Sequence, residues 1–183
     1  MKTVSKLTLA LIVGLSLASL TLADTPRDAG SKARGEVYNF WVGRSANNHA
    51  RDNSRSLYYY GQTQQAVPVP QAQEHVTAVR QNLDTCQKAI GELKKSNPEN
   101  QEALAAIEKI EVIHKKVLGH CEQMDKQFKD GKGDSTENFS CCADMHSDLD
   151  AADAEMDKLM KSLKIEKLEL PTKAAKPATP EKK

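Results

Sequence analysis

Three stretches of this chain carry apolar side chains at alternating steps of three and four, a spacing that commits each to one face of an α-helix. Val76, Val79, Leu83, Cys86, Ile90 and Leu93 form the first stripe. Ala103, Ile107, Ile110, His114, Val117, Cys121, Met124 and Phe128 form the second, and Cys142, Met145, Leu149, Ala152, Met156, Leu159 and Leu163 the third. Pro68 and Pro70 mark the start of the first helix, and Ser96-Asn97-Pro98 ends it. Asn97 is the expected N-cap of the second, with Pro98 at the first helical position, where a missing N–H costs nothing. The run Lys129 to Gly133 breaks the second helix, Asp134 with Glu137 resembles a capping box for the third, and Pro171 is its expected stop. Short connections between long amphipathic helices favour antiparallel neighbours, so the sequence predicts an all-α fold, an up-down-up three-helix bundle over residues 71–168.

The flanks read differently. Residues 1–23 have the form of an export signal: Lys2 and Lys6, an apolar run from Leu7 to Leu20, then small side chains ending at Ala23. The run is shorter than the roughly 20 residues that cross a bilayer, and no later stretch is apolar enough to do so. A secreted or periplasmic protein, cleaved near Ala23 and without a membrane span, is the expectation. Residues 24–70 hold six of the eight aromatics, Tyr38, Phe40, Trp41, Tyr58, Tyr59 and Tyr60, among Gly, Asn, Ser and Arg. Such an arm either packs on the bundle as a fourth, irregular or short helical element, or offers an aromatic and arginine surface to a partner. Residues 169–183 are a Lys/Pro/Ala tail of the composition that stays disordered.

The charge balance excludes one class of partner. With 26 Lys and Arg against 25 Asp and Glu, the chain lacks the concentrated basic face that nucleic acid demands.

Chemistry concentrates at one end of the expected bundle. Folding the second and third helices back about a turn near Lys132 sets Cys121 level with Ala143 and His120 level with Asp144. His75, His120, Cys121, Met124, Cys141, Cys142, Met145 and His146 then gather within a few turns, while Cys86 lies farther along the axis. Thiolate, thioether and imidazole together form the ligand set of a soft ion, Cu(I) ahead of zinc. The expected metal pocket is Cys121, Cys142 and His146 with Met145 or Met124 as a weaker fourth ligand, and His120 and His75 at the rim.

The same sulfurs support a second reading. Export delivers a protein to an oxidising compartment, where facing cysteines form disulfides. Cys121 with Cys142 is the expected pair and Cys121 with Cys141 the one-residue slip. Such a bond would stabilise the fold by roughly 3 kcal/mol.

Other motifs fall away. Glu111 and His114 share the Glu-x-x-His spacing of di-iron bundles, but no second copy exists, and His114 is expected to be a core histidine bonded to a polar neighbour, with Cys86 within possible reach. Lys132 and Phe139 occupy positions where a calcium loop needs acidic ligands. No haem attachment sequence, phosphate-binding loop or hydrolase constellation is present, so an enzyme is not the expectation. Two functional readings remain: an exported bundle that holds or buffers a soft metal, and a disulfide-stapled structural or interaction module without metal.

Overall fold

The computed structural model describes residues 26–63, 68–129 and 135–166. The signal segment 1–23, the tail 169–183, Asp134 and Pro171 lie outside them, and so does the Glu137 side chain. The described residues form a four-helix bundle: α1 (Pro26–Thr63), α2 (Val69–Ser96), α3 (Gln101–Lys129) and α4 (Ser135–Ser162). Each helix packs against its neighbours in chain order, and α1 closes the ring against α4, while the diagonal pairs stay apart. Residue pairs across every seam run in opposite order, as antiparallel packing requires. No described helix is long and apolar enough to cross a membrane.

The three predicted helices are present and their stripes are buried. Every α2 and α3 stripe residue named above is in the core, and so are Cys142, Met145, Leu149, Ala152, Met156 and Leu159 of α4. The fourth member of the bundle is the aromatic arm, which forms one continuous helix of 38 residues rather than a short irregular cover. At a rise of about 1.5 Å per residue it outreaches the 28- and 29-residue helices beside it. Its inward face is Phe40, Gly43, Asn47, Ala50, Ser54, Leu57 and Gly61, again in steps of three and four and all buried. Most of those side chains are small or polar, so the stripe carries little hydrophobic signal. Their smallness lets α1 approach α2 closely. A Cβ added at Gly43 would lie 3.5 Å from both Ala89 Cβ and Ile90 Cγ2, ordinary van der Waals contact with nothing to spare for a longer chain.

Two helix ends differ from expectation. Asn100, not Asn97, caps α3: its Oδ1 accepts from the Ala103 N–H at 3.0 Å, while the Asn97 N–H closes α2 onto Leu93 O at 3.1 Å. The helix thus begins after Pro98, because a two-residue turn is needed to reverse the chain. α4 stops at Ser162 rather than continuing towards Leu168. Lys164 takes φ 54°, and the N–H groups of Lys164 and Ile165 return to Lys161 O and Met160 O, both at 3.0 Å. This is a Schellman stop, with Ile165 folded back into the core beside the last turn.

The core has two apolar halves. One gathers Phe40, Cys86, Ile90, Leu93, Ile107, Ile110, Met156 and Leu159 near the α2–α3 turn. The other gathers Leu57, Val76, Val79, Leu83, Val117 and the Cys/Met group towards the α3–α4 turn. A polar tie lies across the bundle between helices that otherwise stay apart. His114 of α3 and Asn47 of α1 are both fully buried, with His114 Nε2 3.1 Å from Asn47 Oδ1.

Candidate sulfur centre

Two contacts of the α3–α4 seam set a thiol against a thioether. Cys121 Sγ lies 3.7 Å from Met145 Sδ, and Cys142 Sγ lies 4.0 Å from Met124 Sδ. All four residues have zero exposure. The spacing explains the arrangement: Cys121 and Met124 stand three apart on α3, Cys142 and Met145 three apart on α4, so antiparallel packing crosses them. The register differs from expectation by two residues, since Cys121 faces Met145 rather than Ala143.

Burial controls the chemistry of these thiols. It pushes Cys142 up to about 12, with the neighbouring Cys141 and Cys121 adding to the effect. It also raises Cys121, but only to about 11, because Arg80 works in the opposite direction. Arg80 of α2 favours the charged form of Cys121, and its Nη2 sits 2.7 Å from Asp125 Oδ2, one turn beyond Cys121. The sequence gives no sign of this. Arg80 follows the core residue Val79 and reads as solvated surface until α2 is docked on α3. Cys86 is pushed up to about 12 by burial in the other half of the core.

No family model, curated protein or solved structure matches this chain. The site therefore rests on its own geometry.

The imidazoles do not join the sulfurs. Expected at this end of the bundle, they are found there, but each turns into a different seam. His75 Nδ1 is 3.3 Å from Asn53 Oδ1 between α1 and α2. His120 Nε2 is 3.8 Å from Asp148 Oδ2 between α3 and α4, and His146 Nδ1 is 3.2 Å from Asp150 Oδ2 on its own helix. Helical direction accounts for it: His146 follows the core residue Met145 by about 100° of rotation, which aims it at α1. Among the described residues no three of His, Cys, Asp and Glu converge on a point where an ion could sit.

None of the four cysteines is in a disulfide. Cys121 and Cys142 face each other's helices as expected, but each sulfur meets a thioether of the opposite helix. Cys141 is buried next to Cys142.

His114 is the core histidine the sequence led us to expect, with a partner it did not reveal. Asn47 Nδ2 donates to Leu149 O at 3.1 Å, which leaves Asn47 Oδ1 as an acceptor, so His114 Nε2 carries the proton and donates to it. Nδ1 is then a bare, buried lone pair without a hydrogen-bond partner, and Cys86 does not supply one. Burial drives the imidazole down to about 4, so it is neutral across the physiological range.

Proposed function

We propose that this protein is an exported helical-bundle carrier that holds one soft metal ion, Cu(I) ahead of zinc, among the sulfurs of Cys121, Met124, Cys142 and Met145. The observation that carries the reading is the crossed pair of thiol–thioether contacts in a fully buried seam. Four ligands held tetrahedrally at about 2.3 Å from an ion lie about 3.8 Å from one another. Two of the six separations in such a set, the contacts of 3.7 and 4.0 Å, straddle that value.

The donor types favour copper. Thioethers are poor ligands for zinc and good ones for Cu(I), and a dry, apolar shell protects a bound Cu(I) from oxidation. Two thiolates around a monovalent ion leave one negative charge, which the Arg80 guanidinium offsets only in part, since Asp125 shares it. Loading must displace the thiol protons, so affinity rises with pH. The imidazoles of His75, His120 and His146 have no part in this set.

The test is anaerobic titration of reduced protein with Cu(I) against a chromophoric chelator. One ion per chain is expected, with Cys142→Ser abolishing most of the uptake and Met124→Leu weakening it. Uptake unchanged by Cys142→Ser would refute the reading. So would native protein that, denatured without reductant, titrates as only two thiols, the result a disulfide-stapled module would give.

A further inference from the structure

α1 carries a second stripe, on the side turned away from the core. Arg34, Tyr38, Trp41, Ser45, His49 and Asp52 recur in steps of three and four, opposite the buried line of Phe40, Gly43, Asn47 and Ala50, and each is exposed or half-buried. Tyr38 is the most exposed large apolar side chain among the described residues, at 69 %. Beside it the α1–α2 seam opens into a cleft of about 420 Å³, lined by Tyr38, Trp41, Val42, His49, Asn82 and Thr85 among others, with no lysine, arginine or acid in its wall among the described residues. The stripe is self-complementary about one level. Arg34 and Asp52 lie nine residues before and after Gly43, Trp41 and Ser45 lie two, and Tyr38 lies five before against six after for His49. Two copies of α1 laid antiparallel, outer face to outer face, with a twofold axis at the level of Gly43, therefore set Arg34 of each against Asp52 of the other and Tyr38 of each against His49 of the other. The charged rungs then stand about 13 Å to either side of the axis, and no like charges meet along the stripe.

We propose that the protein forms a homodimer through this face, with Tyr38 of each copy entering the α1–α2 cleft of the other. An aromatic anchor in an uncharged pocket, ringed by polar and charged groups, is the anatomy of a specific contact. Tyr38 of the second copy arrives at the His49 end of the cleft, where Asn82 spends its Nδ2 on Ala78 O at 2.8 Å and keeps Oδ1 to accept from the tyrosine O–H. Asp52 gives Oδ1 to Arg55 of its own helix at 3.1 Å, and its Oδ2 has no other partner among the described residues, so it can take Arg34 of the second copy. Charges at the two ends set the register of the helices, while the aromatic centre supplies most of the affinity. The face is separate from the sulfur centre, which lies in the α3–α4 seam.

The experiment is sedimentation equilibrium of the purified chain over a range of concentrations at low salt. One helix face makes a small interface, so the expected dimer Kd is about 50 µM. Tyr38→Asp is expected to leave the protein monomeric over the same range. Asp52→Arg is expected to raise the Kd about tenfold, because both charged rungs of the dimer turn repulsive, and adding Arg34→Asp to the same chain to restore it to within about twofold. The altered side chains are exposed or half-buried, so the fold is common to all the variants. Trp41, the only tryptophan, lies at the centre of the contact, and its emission is expected to move to the blue in step with the dimer. A chain that stays monomeric at about 1 mM, a Kd unmoved by Tyr38→Asp, or a double variant as weak as Asp52→Arg overturns the proposal. None of these outcomes depends on whether the sulfur centre takes up metal.

Discussion

Lowering the pH is expected to loosen this bundle through one residue, His114. Its imidazole is fully buried, donates from Nε2 to Asn47 and has no partner for Nδ1. Adding a proton to Nδ1 would bury both a charge and an unsatisfied donor, which is why burial holds the group down at about 4, against an ordinary 6.5. The unfolded chain therefore binds a proton below pH 6.5 that the folded chain refuses until about pH 4. Stability falls as pH falls through that window. The two values correspond to a loss of about 2 kcal/mol between pH 7 and pH 5, and about 3 kcal/mol by pH 4. Urea unfolding followed by circular dichroism at several pH values measures it, with His114→Leu as the comparison, since every other titrating group is common to both proteins. The variant leaves Asn47 Oδ1 without its donor, a cost of about 1–3 kcal/mol that does not vary with pH. The gap between the two proteins should thus narrow by about 2 kcal/mol from pH 7 to pH 5. Parallel stability curves would refute the assignment of a buried, neutral His114.

Two substitutions probe the backbone. Gly43→Ala should raise stability by up to about 1 kcal/mol, because the helix gains propensity and the added Cβ meets Ala89 and Ile90 at contact distance. Gly43→Leu should lower it by about 1–3 kcal/mol through overpacking against α2, and thermal melts distinguish the signs. Lys164→Gly should stabilise by about 1 kcal/mol, since Lys164 holds the left-handed conformation at the end of α4 where only glycine is unstrained. A melt unchanged by that substitution would argue against the Schellman stop.

The parts of the fold that were legible in the sequence are those where burial is achieved with large apolar side chains. The α2, α3 and α4 stripes, from Val76 to Leu159, announce themselves because Val, Leu, Ile and Met recur at helical spacing. α1 obeys the same spacing but fills most of it with Gly43, Asn47, Ala50, Ser54 and Gly61, which leaves little hydrophobic periodicity to read. The consequences spread to the site. Without α1 docked, the partner of His114 could not be known, and neither could the seam that His146 faces. The level of Cys121 against α4 was correct to within two residues, because helix rise and turn position fix it. Direction around the axis decided which residues meet. A single step of about 100° separates Met145, which faces the sulfurs, from His146, which faces α1.

The account stands most directly on what surrounds a bound ion. X-ray absorption at the copper edge, on reduced protein loaded with one equivalent of Cu(I), should give a first shell of sulfur alone at about 2.3 Å. A shell containing nitrogen, from His146 or any other imidazole, would contradict the assignment of the four crossed sulfurs, and failure to retain copper through desalting would contradict the function itself.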